Sequence, residues 1–443
     1  MDPVRIGILG LGTVGGGTVS LLRRNAEPLK RRLGRPLEVS RVAVKDLGKP
    51  RPVDLDGIDV TTDPEAICTD PDVDIVVELV GGVDNAEPLV RKALEHGKPV
   101  VTANKALLAE RGNELFRYAG EQGVDLAFEA AVAGGIPIIK ALREGLAGNR
   151  IESVHAIANG TANYMLSRMR TEGMEFEEAL AEAQELGYAE ADPTFDVDGI
   201  DAAHKLALVA AVAFGAPINY EALHIEGIRK VTREDILYAG ELGYRIKLLA
   251  ITKHGPGGGI EIRVHPALVP DDTMLSGVEG VFNAVQVVGD AVGPTLYYGP
   301  GAGADPTASA VVGDLVDVAR TLGAPPEYRV PYLGFHAEGM QEPRWAAMEE
   351  VETEYYLRLQ AQDQPGVLSQ VTRILAEEGI SIEAIRQKEP LPGAVDVPVV
   401  LLTHTTREKN LRRAVEAIDG LDVINGPSQM IRLEEVDTTR GSA

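Results

Sequence analysis

The chain has 443 residues, enough for roughly three domains and several cores. Its formal charge of −24 excludes the basic surfaces that nucleic acid and anionic membranes require. No apolar run approaches the roughly 20 residues that span a bilayer, and with Cys68 as the only cysteine, intrachain disulfides and multi-cysteine metal sites are excluded as well.

Strand-like sequence begins at Val4 with no basic and apolar leader before it, so the expected location is cytoplasmic. Residues 4–9 (VRIGIL) run directly into Gly10, Leu11, Gly12, Thr13, Val14 and Gly15, and a helical pattern follows to Leu22. Strand, glycine turn, helix is the order that a dinucleotide pyrophosphate requires. Gly10 permits the turn, Gly12 removes a Cβ where the backbone meets phosphate, and Gly15 lets the helix approach the strand. The N–H groups of the helix start then face the phosphates. The alternative is a turn and nothing more.

A second strand is predicted at residues 37–44, ending in Lys45 and Asp46. An acid here suits the ribose hydroxyl of NAD, a cation the 2′-phosphate of NADP. Lys45 comes first, with Lys49 and Arg51 nearby, which favours NADP over NAD or allows both. A plain polar loop is the other reading. Residues 73–79 and 99–102 read as buried parallel strands. Ligands sit beyond the carboxyl ends of such strands, which places Lys105 at the nicotinamide half of the site, unless it is a surface lysine opening a helix over 106–115. Residues 125–129 form the next expected strand, and the small-residue turn 130–137 is a domain boundary. Glu129 and nearby main-chain oxygens could hold a hard cation, or Glu129 could be a carboxylate at a helix start.

Residues 151–158 are strand-like. Asn159 to Leu166 (NGTANYML) follow, with Thr161 or Asn163 as the expected cap of a helix through Met169. Next comes an acidic stretch holding Glu190, Asp192, Asp196, Asp198 and Asp201, which delivers Lys205 into the apolar run 206–214. Asp201 and Lys205 are four residues apart, so on a helix they share a face. A lysine at the mouth of a buried helix, behind carboxylates, is a candidate site lysine. The same spacing also suits a solvated ion pair at a helix end.

Beyond 214 the pattern is mixed, with strands such as 259–264 and 284–288. A second glycine-rich loop at 298–307 precedes a helix over 308–322; it is either a ligand loop or a turn. Residues 323–345, rich in Pro and Gly, read as a connector. A separate unit begins near Val351: a strand at 355–360, the turn Asp363-Gln364-Pro365-Gly366-Val367-Leu368 into a helix through Glu378, strands at 380–387 and 395–404, a helix at 408–418 and a strand at 423–431. This β-α-β-β-α-β order is ferredoxin-like. The polar residues after Leu433 are expected to be disordered.

Read together, these segments resemble homoserine dehydrogenases over nearly the whole chain. The resemblance is carried by the glycine fingerprint at 10–15, TANKALL at 102–108, NGTANYML at 159–166, GPGAG at 299–303, and above all by Ala183, Gly187-Tyr188-Ala189, Asp192-Pro193, Asp196-Val197, Gly199, Asp201 and Lys205. The D-x-P-G-V-L turn resembles ACT domains. The implied fold is α/β: an N-terminal Rossmann-type parallel sheet (1–130, with a helix near 305–322 returning to it), an α+β substrate and dimerisation domain (131–322), a linker (323–350), a ferredoxin-like ACT domain (351–433) and a tail (434–443). The implied activity is NAD(P)-dependent interconversion of L-aspartate 4-semialdehyde and L-homoserine, on the route to threonine, methionine and isoleucine, in a monofunctional homodimer or homotetramer. By the same resemblance Lys205 is the proton donor or acceptor, and Lys105 binds substrate and cofactor. Glu190 holds the substrate amino group, and Asp196 and Asp201 orient substrate and lysine. Gly303 lines the cofactor pocket. Glu129 and the carbonyls of Val132, Gly134 and Ile136 hold a structural Na+. Threonine is the implied effector at the ACT domain. Two other readings stand beside this one: an oxidoreductase for a different amino-acid-linked substrate, and a non-catalytic nucleotide sensor.

Overall fold

The computed structural model describes residues 2–51, 53–387 and 396–436. Its N-terminal body is a six-stranded parallel sheet of β1 (Val4–Leu9), β2 (Leu37–Ala43), β3 (Asp59–Thr61), β4 (Ile75–Glu78), β5 (Val100–Thr102) and β6 (Leu126–Ala127), in the order β3-β2-β1-β4-β5-β6. The central strands β1, β4 and β5 are short apolar runs because both faces of the sheet are covered there, while β2 and the edge strand β3 are only partly buried. Val4, Ile6 and Ile8 pack with Val19, Val311 and Leu315 on one side, while Ile67, Val90 and Leu107 pack on the other. Strand order reverses between β1 and β4, so a crevice opens at their carboxyl ends.

The helix over Ala304–Thr321 belongs to this layer although the chain reaches it last. It packs on the helix Thr13–Arg24 so closely that a Cβ on Gly17 would lie 2.8 Å from the Ala304 carbonyl oxygen. The glycine loop before it is shorter than the sequence suggests, since residues 298–300 belong to a strand and the helix begins at Ala304.

The second body is an antiparallel sheet of β7 (Ile151–Ile157), β9 (Tyr244–His254), β10 (Ile260–Pro270), β11 (Phe282–Gly289) and β12 (Gly293–Pro300), ordered β12-β11-β7-β9-β10, with the short β8 (His224–Ile225) beside β10. β9 and β10 form a long hairpin, paired from His254↔Ile260 to Tyr244↔Pro270. Alternate residues such as Val154, Ala156, Leu248, Ala250 and Val264 face the helices Gly160–Glu172 and Ile200–Phe214. The latter helix has no solvent-exposed face because it is enclosed; Ala202 to Ala213 are all buried. Residues 323–350 carry only short 3-10 turns.

The C-terminal body holds a two-stranded ribbon of β13 (Glu352–Thr353) and β17 (Thr406–Arg407), and a sheet of β14 (Tyr355–Gln362), β15 (Ile382–Gln387), β16 (Asp396–Thr403) and β18 (Gln429–Leu433) in the antiparallel order β18-β14-β16-β15. Helices Val367–Glu377 and Glu408–Asp419 cover it. Its last strand lies at Gln429–Leu433, further along than the 423–431 read from sequence. β18 also pairs in parallel with β10, at Ala267↔Arg432 and Leu268↔Leu433, so the C-terminal and central sheets are continuous.

Buried charges lock this junction. Arg432, 1% exposed in its side chain, donates to both oxygens of Glu226 (2.8 and 2.9 Å) and both of Glu408 (2.9 and 2.6 Å). Burial works against the Glu226 carboxylate, but His224 and Arg432 outweigh it and hold its pKa far below the usual range. The residues just after Leu433 correct the expectation of a loose tail. Glu434 is buried and accepts from Arg263 (2.8 Å), Lys253 and His155, and Val436 fills a cluster with Ile157, Leu249 and Ala284. Carboxylate–cation pairing, which composition does not reveal, orders this segment; residues 437–443 lie outside the described residues.

Candidate active site

The helix Ile200–Phe214 starts after Gly199, whose φ of +83° suits a residue without Cβ. Asp201 therefore sits in the first turn, where a carboxylate is favoured, and Lys205 follows one turn later. Lys205 is 9% exposed. Its Nζ donates to Asp201 Oδ2 at 2.7 Å and to the carbonyl of Ala158, at the end of β7, at 2.6 Å. The buried ammonium is thus paired, as its burial demands. The solvated-ion-pair alternative does not describe this geometry.

Lys105 arrives from the other body. Asn104 caps its helix, Lys105–Gln122, by accepting from the Leu107 N–H at 3.1 Å, and reaches back to the Gly82 carbonyl at 2.7 Å. Lys105 is then the first helical residue, at the end of the dipole that repels a cation. The other oxygen of Asp201 offsets this, with Lys105 Nζ 3.2 Å from Oδ1. One carboxylate thus holds both lysines, one on each oxygen. Burial pushes the Asp201 pKa up, but Lys205 and Lys105 more than reverse this and bring it to about 2, so Asp201 stays charged.

The helix Gly160–Glu172 is capped by neither Thr161 nor Asn163. Asn159 caps it, accepting from the Ala162 N–H at 2.7 Å. Thr161 donates to the Tyr188 carbonyl, and Asn163 holds the carbonyls of Val278, Gly280 and Phe282. With its oxygen on the cap, the Asn159 amide donates to Asp196 (2.8 Å) and Asp201 (2.9 Å), tying both acids into the lysine cluster. Burial raises the Asp196 pKa, against the Asn159 hydrogen bond, and the charge of Asp201 raises it further. An Asn ahead of Gly-Thr at a helix start signals the cap, but not the bonds of Asn159 to the two acids. Phe195 and His204 complete the wall: Lys105 Nζ lies 5.7 Å from the Phe195 ring centroid.

Glu190 is not in this cluster. It is exposed in the loop before Pro193, Gln184 holds its carbonyl, and among the described residues no hydrogen bond or ion pair ties its carboxylate to the lysines.

At the carboxyl end of β1, Gly10 has φ +95° and its missing Cβ would fall 2.6 Å from the Leu79 carbonyl oxygen. Gly15 is packed equally tightly, 2.3 Å from the Gly10 oxygen, whereas a Cβ on Gly12 would meet nothing within 4 Å. Two glycines make the turn compact and the third leaves open space. Leu11 and Val14 are half-buried, and Thr13 is exposed at the start of its helix. Beyond β2, Lys45 and Asp46 are both exposed, but the Asp46 carboxylate turns back to accept from the Gly48 N–H at 2.8 Å, leaving Lys45 outward. Gly303 sits at the start of the helix Ala304–Thr321, beside the glycine turn's own helix.

The expected cation ligands fall in the stretch 129–136, after β6. Glu129 is buried and accepts from the N–H groups of Ile139 (2.9 Å) and Lys140 (2.8 Å). Burial, only partly opposed by these bonds, raises its pKa to about 7. Among the described residues no hydrogen bond ends on the carbonyls of Val132 or Gly134, while that of Ile136 accepts from Ile138 at 2.8 Å. A buried carboxylate with unspent carbonyl oxygens nearby fits an oxygen-liganded cation.

Comparison with known proteins gives the following matches. The family model described as homoserine dehydrogenase matches residues 137–316, that described as its NAD binding domain residues 10–129, and that of the ACT domain residues 355–422. The homoserine dehydrogenase of Pseudomonas aeruginosa is 52% identical over 438 residues, covering 99% of this chain and 100% of the relative. That of Neisseria gonorrhoeae is 53% identical over 439 residues, covering 98% and 100%. The crystal structure of a homoserine dehydrogenase from Thiobacillus denitrificans superposes with a TM-score of 0.93 at 55% identity, covering 98% of this chain and 99% of that one. A hyperthermophilic archaeal homoserine dehydrogenase in complex with NADPH superposes with a TM-score of 0.61 at 29% identity, over 73% of this chain and 99% of that one.

Proposed function

The chain belongs to the homoserine dehydrogenase family, and from that premise we propose that Lys205 moves the proton in the interconversion of L-aspartate 4-semialdehyde and L-homoserine. The nicotinamide, when bound, supplies or takes the hydride. The oxygen at the reacting carbon must then gain or lose a proton, and the developing alkoxide must be stabilised. Lys205 is placed for this by Asp201 and the Ala158 carbonyl, which hold its Nζ from two sides. Lys105, on the opposite oxygen of Asp201, binds substrate beside the nicotinamide. Asp196, fixed by Asn159, orients the substrate, and Glu190, in the exposed loop before Pro193, takes its amino group. The observation that carries this reading is the single buried carboxylate shared by two lysines from two domains.

Gly10, Leu11, Gly12, Thr13, Val14 and Gly15 would receive the pyrophosphate, and Gly303 would border it. NADP is the favoured cofactor because Lys45 faces outward while the Asp46 carboxylate is spent on its own loop. The archaeal relative bound to NADPH supports this. Glu129 with the carbonyls of Val132, Gly134 and Ile136 would hold Na+. The C-terminal body would bind threonine and inhibit the enzyme, in a cytoplasmic homodimer or homotetramer. No described helix is long and apolar enough to cross a membrane.

The test is the formation of reduced nicotinamide by purified protein with L-homoserine and NAD+ or NADP+, with and without sodium and threonine. A homoserine-dependent rise supports the reading, and the ratio of the two rates reads cofactor preference. A flat trace with both cofactors would sink it.

A further inference from the structure

His204 takes no part in the mechanism above, yet it stands inside the site. It precedes Lys205 and follows Asp201 by three residues, so the three share one stripe of the helix Ile200–Phe214. Its ring is 5% exposed and packs between Phe195, centroids 5.4 Å apart, and Tyr220, 4.7 Å apart. Lys105 Nζ lies over the same Phe195 ring. Nδ1 is buried with no hydrogen-bond partner, and among the described residues neither ring nitrogen makes a hydrogen bond. Buried polar atoms are almost always satisfied, and an unpaired one inside a site is open to a water or a ligand group. Burial first, then the charge of Lys105, keeps the His204 pKa below that of an ordinary histidine, so the ring is neutral at working pH.

We propose that His204 is a substrate-positioning residue, donating a ring N–H to the α-carboxylate of the amino-acid substrate beside Lys105. The choice of carboxylate over ammonium follows from charge. A substrate ammonium next to Lys105 would be repelled, whereas a carboxylate is attracted. A neutral N–H adds direction to that attraction without a third positive charge beside Lys105 and Lys205. The sequence gives His204 no distinction, because a histidine on a buried helix reads as core.

The inference rests on homoserine being the substrate. The test compares the wild type with His204→Phe, which keeps the packing on Phe195 and Tyr220 but has no donor, and with His204→Gln, which restores one. Steady-state kinetics are measured with L-homoserine and with L-homoserinamide, whose carboxylate is an amide, alongside thermal melts. His204→Phe should raise KM for L-homoserine about tenfold, the value of one hydrogen bond to a charged group, with kcat within about twofold. It should leave KM for L-homoserinamide unchanged and melt no lower than the wild type, having lost an orphaned nitrogen. His204→Gln should recover most of the affinity. An unchanged KM for L-homoserine, an equal loss for both substrates, or a rise in KM that tracks a lower melting temperature would overturn the inference alone. A wild-type enzyme inert towards L-homoserine would overturn the substrate reading and the inference with it.

Discussion

At the scale of single residues the site is organised by Asp201. Among the described residues it is the one carboxylate paired with both lysines, and its charge favours their approach. Replacing Lys205 with Ala should cut turnover by roughly 100-fold or more, the usual weight of a general acid, while a fluorescence titration shows unchanged cofactor binding; full activity in the variant would remove Lys205 as proton carrier. Asp201 also sets a pH limit. Its pKa is depressed from 3.8 to about 2 in the folded chain, so its contribution to stability is complete above 3.8 and is lost as pH falls through about 2. Acid unfolding followed by far-UV circular dichroism should therefore begin at higher pH in Asp201→Asn than in the wild type, and identical curves would refute the assignment. Asp201 and Lys205 were legible in the sequence because spacing puts them on one helical face. Asn159 was not, since its bond to Asp201 spans a sequence separation that no local pattern encodes.

At the scale of elements, the glycine turn shows how little freedom the fold leaves. Any side chain at Gly15 collides with the Gly10 carbonyl, so Gly15→Ala should weaken cofactor binding and lower the melting temperature together, measured by titration and by calorimetry. Lys45 lies at the end of β2, where sequence offers a cation and an acid side by side. One oxygen of the exposed acid bonds to its own loop, and Lys45→Ala should raise KM for NADP+ by about tenfold with little change for NAD+. Equal effects on both cofactors would remove Lys45 from the 2′-phosphate. The strands β1, β4 and β5 were predictable as short apolar runs after which glycine or polar residues take over, whereas the polar three-residue β3 carries no such signal. The eleven-residue β9 was not singled out, because its middle, LLAI, is continuously apolar and carries no period of two.

At the scale of the whole molecule, the C-terminal body is an extension of the central sheet through β18 and β10, not a bead on a linker. Its strands alternate and its turns are rich in glycine, so its β-α-β-β-α-β order could be read in advance. Its attachment could not. Arg432 bridges Glu226 of the central body and Glu408 of its own. Removing one partner of such a buried network costs about 3–5 kcal/mol, so Arg432→Ala should shift the denaturant midpoint strongly and, if threonine acts through this body, weaken inhibition as well. A midpoint equal to that of the wild type would show that the junction is held by packing alone.

What the sequence by itself determined is whatever local order dictates: strand followed by glycine turn and helix, Asp201 and Lys205 one turn apart, the ferredoxin-like succession, and the ordered signature that carries the family. Tertiary structure alone decided the rest. It brought Lys105 from the parallel sheet to an oxygen of Asp201, buried Glu434 among cations and left Glu190 outside the cluster. The pairs of Lys105 with Asp201 and of Glu434 with Lys253 and Arg263 join residues far apart in the chain, and each charge that folding takes out of water is costly until such a partner meets it.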